Sequence, residues 1–193
     1  RNYKEAAETF KLKAAKGWAG KNDPMLIGKC YYQLKDLDNA DKTFSDVVAA
    51  EPENVEARLY LARTYSLKEE LTGTKGLAVP KFEALLDLIG NRTNEYKQEQ
   101  YEAYKYMAYY NYDASKYDAA HTWYDKWFTL DPTNKGWQID ALLGKSLIDM
   151  KKKDYVAARE DYNRVLAIDP NHKSAKQAVI DLTKVINAER NLR

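Results

Sequence analysis

The two histidines and the single cysteine are among the side chains of this 193-residue chain that could perform acid–base, nucleophilic or metal chemistry. Each of these tasks needs partners, because a base must be oriented and a metal ion needs several ligands. His172 follows an Asp-Pro pair and His121 adjoins Ala120, so we expect one in a loop and the other solvated on a helix. Cys30 lies in a helical stretch that favours a buried thiol. We therefore expect no catalytic residue, no metal site, no cofactor and no enzymatic activity.

Three consecutive lysines, Lys151 to Lys153, could attract phosphate. A nucleic-acid-binding protein usually has a clustered basic excess, whereas this chain has 31 Lys plus Arg against 29 Asp plus Glu. The chain also has no Gly-rich phosphate loop. We expect the lysines to form a solvated helix end, where cations are favourable, and we expect no nucleic-acid partner.

The composition is typical of a helix-rich globular protein: 45% hydrophobic residues with only 8 Gly and 5 Pro. With one Cys the chain can form no internal disulfide. No apolar run approaches the roughly 18 residues that cross a bilayer, so we expect no membrane insertion. The opening stretch, RNYKEAAETF, reads as the middle of a helix. We therefore expect the natural protein to continue upstream.

A pattern of apolar residues recurs along the chain. Each copy has a small residue, an aromatic residue four positions later, two apolar residues one turn further on, and then Pro. On a helix this spacing makes a single stripe, and the Pro ends the helix. The copies are Ala40/Phe44/Val47/Val48/Pro52, Ala120/Tyr124/Trp127/Phe128/Pro132 and Ala158/Tyr162/Val165/Leu166/Pro170, with Ala78/Phe82/Leu85/Leu86 followed by Gly90 and a partial copy at Ala6/Phe10.

A second pattern precedes each complete copy. It reads Pro24-x-x-Ile27-Gly28-x-x-Tyr31, Arg58-x-x-Leu61-Ala62-x-x-Tyr65, Tyr104-x-x-Met107-Ala108 and Asp140-x-x-Leu143-Gly144. Together the two patterns resemble the tetratricopeptide repeat (TPR), a helix-turn-helix unit with the consensus W-x2-L-G-x2-Y, then A-x3-F, then P. The resemblance covers nearly the whole chain, although no copy has Trp in the first position.

The resemblance implies an all-α, right-handed α-solenoid of about four and a half helical hairpins with a C-terminal capping helix. Ser174-x-x-Gln177 reads as a capping box that opens this last helix. We expect one domain over 1–193, in which 1–20 is the second helix of a truncated repeat, 21–54, 55–92, 93–134 and 135–172 are repeats, and 173–193 is the capping helix.

The spacing of the small residues predicts insertions. Ala6 to Ala40 spans 34 residues, and the next three intervals exceed this by 4, 8 and 4. We expect the first insertion as a loop at Glu70–Gly76 and the third near Met150–Asp154. The second, Thr93–Gln100, is charged and favours helix, so we expect it to lengthen one helix by about two turns.

In the family, the first helices of successive repeats line a concave groove that binds peptides or partner helices. The stripe beside the packed one carries alternating cations and tyrosines, side chains that often anchor binding. The resemblance therefore implies a protein or peptide partner, which the cations predict to be acidic. The candidate binding residues are Lys29, Tyr32, Tyr60, Arg63, Lys105, Tyr106, Tyr109, Tyr112 and Lys145.

Seven tyrosines crowd the segment from Glu95 to Tyr112, and they cannot share one face of a helix. Some of them must therefore lie on a second surface, where a homodimer or another domain could dock. Trp123 also falls outside the apolar positions of the repeat. We expect it to make an outer-surface contact.

The sequence favours a protein–protein interaction scaffold that binds a partner in its groove. The alternative is a structural spacer or regulatory domain of a larger cell-envelope or signalling protein, with no ligand in this groove. The bias towards Lys, Asn and Tyr is similar to that of TPR proteins of Bacteroides-type bacteria, which are often exported. We therefore favour the periplasm or cell envelope over the cytoplasm, while the composition leaves localisation open.

Overall fold

A computed structural model describes residues 2–18 and 20–191. Within these residues the chain forms ten α-helices and no β-strand, as the repeat pattern predicts. The helices group into two compact units that divide after Arg92. In each unit every helix packs against the next one along the chain, so that the backbone runs through consecutive antiparallel hairpins.

Unit 1 contains five helices. The first, α1, packs on α2 as the second helix of a hairpin would, and α2 with α3 and α4 with α5 form two hairpins. Pro80 lies in the first turn of α5, where a missing N–H is tolerated. The bounds are α1 Tyr3–Ala15, α2 Asp23–Gln33, α3 Leu37–Ala50, α4 Val55–Thr72 and α5 Val79–Ile89.

Unit 2 also contains five helices. Here α6 pairs with α7 and α8 with α9, and the long α10 covers α9. The buried face of α10 includes Ala175, Leu182 and Ile186, as expected for a terminal helix. The bounds are α6 Lys97–Asp113, α7 Tyr117–Leu130, α8 Lys135–Lys152, α9 Tyr155–Ile168 and α10 Lys173–Asn191.

The acid-Pro pairs lie in the turns between hairpins, as predicted. Helix α3 ends at Ala50 just before Pro52. An Asn two residues after the Pro then caps the next helix: the Asn54 side chain accepts a hydrogen bond from the Ala57 N–H at 2.9 Å. Asn134 caps α8 in the same way. Each turn therefore both stops one helix and starts the next.

The hairpins are held together where a small residue meets an aromatic ring. A Cβ added to Gly28 would lie 2.6 Å from Cε1 of Phe44, so the α2 backbone rests directly on this ring. Phe44 and Ala40, which lies one turn before it on α3, are completely buried. Glycine is required here because the ring occupies the space that any side chain would need.

Gly144 makes the same kind of contact with the preceding hairpin, whereas the sequence pattern places it as the small residue of α8 that faces Ala158 of α9. Its added Cβ would lie 2.1 Å from Cε1 of Tyr124, which belongs to the preceding helix α7. The fully buried Ser146 stands twelve residues before Ala158, as Gly28 stands twelve before Ala40. Ser146 is therefore the equivalent of Gly28, and the predicted register of α8 was wrong by two residues.

With Ser146 aligned to Gly28, the third insertion does not lie at its predicted place. The spacing from Ser146 to Ala158 is already standard, so no extra residues lie at Met150–Asp154. The added turn is instead at the start of α8, which begins at Lys135 directly after its Asn134 cap. The Met150–Asp154 segment is an ordinary helix end, in which Lys153 adopts a left-handed conformation.

The other two insertions are partly as predicted. Helix α4 continues to Thr72, and Gly73, with φ of +75°, ends it, so the predicted loop begins only at Gly73. In the second insertion, residues 93–96 form a turn and α6 begins at Lys97. That insertion therefore adds about one helical turn rather than two.

The predicted capping box of α10 is wrong. His172 Nδ1 lies 3.3 Å from the Ala175 N–H, so the histidine in the loop caps the helix. Gln177 donates a hydrogen bond to Asp181 at 2.9 Å and does not reach back to the helix start. The helix begins one residue before Ser174, and this start places Ser174 inside the first turn.

Charged side chains are buried between α7, α8 and α9. Lys145 Nζ lies 2.7 Å from Asp125 Oδ1, and His121 Nδ1 lies 3.2 Å from the other oxygen of that carboxylate. Asp149, one turn after Lys145, is also buried. Burial and the neighbouring Asp161 raise the pKa of Asp149, while His121 and Lys145 partly offset them.

We predict that Gly144→Ala destabilises the fold by about 1–3 kcal/mol, because the buried Tyr124 ring must move. Gly136→Ala is the matched control in the same helix, since its Cβ would meet only Asn134 Oδ1 at 3.5 Å. We expect this control to be neutral or stabilising by less than about 1 kcal/mol. Urea unfolding followed by circular dichroism measures both values. Equal stability of the two variants would contradict the contact with Tyr124.

We predict that Asp149→Asn stabilises the protein at pH 7 by roughly 1 kcal/mol, the scale of one screened charge contact. The folded-state pKa of Asp149 is raised, so its stabilising contribution is present below its unfolded pKa and is lost as pH rises through the folded pKa. The advantage of the variant should therefore vanish at about pH 3. Urea unfolding across this pH range tests it, and a less stable variant at pH 7 would contradict the prediction.

Candidate partner-binding surface

The first helices of the four hairpins are α2, α4, α6 and α8. Their equivalent positions follow from aligning Ser146 of α8 with Gly28 of α2. Counting from Gly28, Ala62, Ala108 and Ser146, the residues at −3, +1 and +4 lie one helical turn apart on one side of each helix. We call these residues the first-helix stripe. Its members are Met25, Lys29 and Tyr32 on α2, Leu59, Arg63 and Ser66 on α4, Lys105, Tyr109 and Tyr112 on α6, and Leu143, Leu147 and Met150 on α8.

In unit 1 three predicted residues lie around a fourth, Tyr60. The Lys29 ammonium lies 5.2 Å and the Arg63 guanidinium 4.9 Å from the centre of the Tyr60 ring. Tyr32 meets the same ring edge-on at 5.7 Å. The ring stacks on the buried Phe44 at 5.3 Å, so the polar cluster is built directly on the core.

The cations of unit 1 already have partners. Lys29 Nζ forms a 2.6 Å ion pair with Glu56, which lies on the next first helix. This pair is partly exposed and contributes little to stability. It nevertheless balances the charge that a partner would meet, so the unit 1 stripe is polar without a strong net charge.

In unit 2 an aromatic cluster surrounds Lys105. Its ammonium lies 5.8 Å from the Tyr101 ring and 5.9 Å from the Tyr109 ring. Tyr101 stacks on Trp137 of α8, with ring centres 4.3 Å apart and planes 3° from parallel. Burial and the nearby Asp140 of α8 raise the pKa of Tyr109, so its hydroxyl stays protonated. The side chains of α6 and α8 therefore share this surface.

Three predicted residues lie apart from these clusters. Lys145 is buried and paired with Asp125 of α7, about 160° around α8 from Leu147. Tyr106 stacks on Tyr110 with ring centres 6.2 Å apart. Tyr112 packs at 5.9 Å against Tyr117, within the α6–α7 hairpin.

The sequence reading missed the stripe residues of α8. Leu147 is 51% exposed and Met150 is 39% exposed, although both are large and apolar. They were missed because the two-residue register error put Lys145 in the place of Leu147. The standard spacing of twelve residues before Ala158 would have identified them.

Trp123 makes a packing contact rather than the expected outer-surface contact. Its ring lies 5.7 Å from that of Tyr104 across the α6–α7 hairpin. The Lys126 ammonium covers the ring at 4.0 Å. Trp123 is therefore a half-buried part of the hairpin wall that contacts the unit 2 core.

The described residues contain no cluster of three or more His, Cys, Asp or Glu that could hold a metal ion. Cys30 is buried, and burial raises the pKa of its thiol, which disfavours the reactive thiolate. No helix among these residues is both long and apolar enough to cross a bilayer. The geometry instead offers half-exposed aromatic, apolar and charged side chains on the first helices.

Two segments match tetratricopeptide repeat families, residues 25–54 and residues 139–172. The second match spans 34 residues and places Ser146 eighth and Ala158 twentieth, in agreement with the corrected register. It begins four residues after the start of α8, as expected if Lys135–Gln138 is the inserted turn. No curated protein matches the chain.

Several solved structures are similar to this chain. The C-terminal part of a TPR repeat-containing protein from Cytophaga hutchinsonii is 32% identical, with 64% of this chain and 48% of that chain covered and a TM-score of 0.56. This chain thus spans about half of that structure. MamA is 22% identical, with 83% and 85% covered and a TM-score of 0.62.

A TPR protein from Bacteroides fragilis is 16% identical, with 95% of this chain and 92% of that chain covered and a TM-score of 0.53. At identities this low, the likeness to MamA and to the Bacteroides protein concerns the fold alone. The chain therefore contains tetratricopeptide repeats at residues 25–54 and 139–172, and its helical hairpins have the fold of tetratricopeptide repeat proteins.

Proposed function

We propose that the first-helix stripes of unit 2 bind an apolar segment of a partner protein. TPR repeats generally mediate protein–protein interaction, and the fold is typically a non-catalytic scaffold. The observation that carries the proposal is the exposure of Leu147 and Met150 on successive turns of α8. Large apolar side chains grouped on a surface favour contact with another apolar surface.

Aromatic residues of α6 extend this apolar strip. Tyr109 is 47% exposed and occupies the position on α6 that Leu147 occupies on α8. Asp140 of α8 lies close enough to Tyr109 to raise its pKa, which supports a shared surface. Tyrosine offers a large contact area at little cost in side-chain entropy, so it suits the edge of such a strip.

The charges favour an apolar anchor over a purely acidic partner. Lys29 is engaged by Glu56 and Lys145 by Asp125. On the unit 2 surface Lys105 faces tyrosine rings, and Asp140 adds a negative charge beside them. We therefore propose an apolar segment, with acidic flanks restricted to the neighbourhood of Lys105.

We predict that Leu147→Asp weakens peptide binding more than tenfold, because it removes an apolar contact and adds a charge. Peptides are first selected from a random displayed library against the whole purified chain. Their dissociation constants are then measured by fluorescence polarisation. We expect the selected peptides to carry apolar residues spaced by three or four positions.

Val156→Asp is the matched control, since Val156 on α9 is 52% exposed and lies outside the stripe. We expect this variant to bind the peptides as the parent does. Equal binding by the Leu147 variant would refute the proposed surface, and failure to select any peptide would favour the spacer alternative. Light scattering gives the oligomeric state: a parent dimer that Leu147→Asp converts to monomer would make a second copy, not a peptide, the occupant.

A further inference from the structure

Unit 1 contains a cavity of about 320 Å³ between α3, α4 and α5, which we call the α4–α5 cavity. The volume lies near the lower end of the range of pockets that hold small organic ligands, roughly 300–1,000 Å³. None of its lining residues belongs to the first-helix stripe, so the cavity requires a separate explanation. Its apolar lining consists of Val48, Ala49, Leu61, Pro80 and Ala84.

Two cations, and no carboxylate among the described residues, also line the α4–α5 cavity. Arg58 on α4 is equivalent to Tyr104 on α6, and Lys81 on α5 is equivalent to Trp123 on α7. In the α6–α7 hairpin the rings of Tyr104 and Trp123 pack with their centres 5.7 Å apart. The α4–α5 hairpin therefore has two like charges beside a cavity where the later hairpin has a packing contact.

Neither cation forms an ion pair with a carboxylate in the described part of the chain. Arg58 Nε donates a hydrogen bond to the Pro52 carbonyl at 3.1 Å, which fixes the guanidinium and leaves its two terminal nitrogens for another acceptor. The Lys81 ammonium lies over the Tyr65 ring, 4.7 Å from its centre. Two half-buried positive charges thus border the cavity without a counterion.

The nearest acidic side chains are engaged elsewhere and do not line the cavity. Asp41 on α3 accepts hydrogen bonds from Lys68 at 3.0 Å and from the Ser45 hydroxyl at 3.3 Å. The buried Glu69 accepts a hydrogen bond from the Ala78 N–H at 2.7 Å. Because Glu69 offsets the partial positive charge at the start of α5, the attraction for an anion comes from the two side chains and not from the helix.

The larger cavity of unit 1, about 570 Å³ between α1, α2 and α3, has no such excess of charge. Each of the three lysines that line it within the described residues has a carboxylate partner. The pairs are Lys11 with Glu8 at 3.2 Å, Lys21 with Glu51 at 3.9 Å and Lys42 with Asp46 at 2.8 Å. Charge therefore selects an anion in the smaller cavity but not in the larger one.

A carboxylate suits the two cations of the α4–α5 cavity. The guanidinium fork donates to both oxygens of a carboxylate, and an ammonium adds a second positive charge. A phosphate would leave further oxygens without donors, because the Ser45 hydroxyl already donates to Asp41. An anion between two like charges also relieves their mutual repulsion.

We propose that the α4–α5 cavity binds a small organic carboxylate, with the charged group between Arg58 and Lys81 and an apolar body of about one ring against Val48 and Leu61. The two unpaired cations select the charge, and the cavity volume limits the size of the body. This site is a second binding function of the chain, and it does not depend on the partner surface of unit 2.

Benzoate is the probe, because it joins one carboxylate to one ring. Titration of the whole chain should give saturable amide shifts at residues 45–49 and 81–84, which line the cavity. Arg58→Gln and Lys81→Gln should each weaken benzoate binding about tenfold, the scale of one lost charge-assisted hydrogen bond. Ala84→Phe fills the cavity without changing its charge and should weaken binding by a similar factor.

Two control variants separate the cavity from other effects. Lys176→Gln removes one exposed cation from α10, and Leu147→Asp alters the proposed partner surface. Both should bind benzoate as the parent does, so that failure of the partner surface and failure of this site are distinguishable. Benzamide, which has the same ring without the charge, should bind at least about tenfold more weakly. Circular dichroism shows whether each variant is folded.

Several results would overturn the proposal. These are no saturable shifts in the parent, shifts confined to other parts of the chain, or unchanged benzoate binding by a folded variant of Arg58, Lys81 or Ala84. Equal affinity for benzamide would show an apolar cavity without anion recognition and would contradict the proposed ligand class. The amide shifts of the parent locate the probe even where a variant does not fold.

Discussion

The contact between a small residue and a buried aromatic ring sets the spacing of these helices. Gly28 lies on Phe44, and Gly144 lies on Tyr124. Each contact brings two backbones close together and thereby fixes which side of each helix faces inward. The exposed positions follow from this choice, because a helix side that does not pack remains available for a partner.

The sequence was sufficient for the fold class and for most of the core. The Ala-x3-aromatic-x7-Pro pattern located α3, α7 and α9 because buried stripes and terminating prolines act locally. The Asn54 and Asn134 caps, two residues after each Pro, were missed although they are equally local. The predicted register of α8 was wrong because Gly144 fits the small-residue position of the motif. Its backbone contacts the Tyr124 ring of the preceding hairpin instead.

The candidate surface was harder to predict than the core. A two-residue shift on a helix moves a side chain by about 160° around the axis, so the predicted register placed the buried Lys145 where the exposed Leu147 lies. The cluster around Tyr60 consists of predicted residues because α2 and α4 were correctly aligned, whereas Tyr101 and Trp137 beside Lys105 were not predicted.

Cysteine labelling with and without a selected peptide tests the central claim most directly, namely that the α8 stripe faces outward and binds a partner. In Leu147→Cys the new thiol should react rapidly in the free protein and slowly at saturating peptide. In Lys145→Cys it should react slowly in both states, and the buried Cys30 contributes little background. Unchanged labelling at position 147 on peptide addition, or faster labelling at position 145 than at 147, would contradict the account.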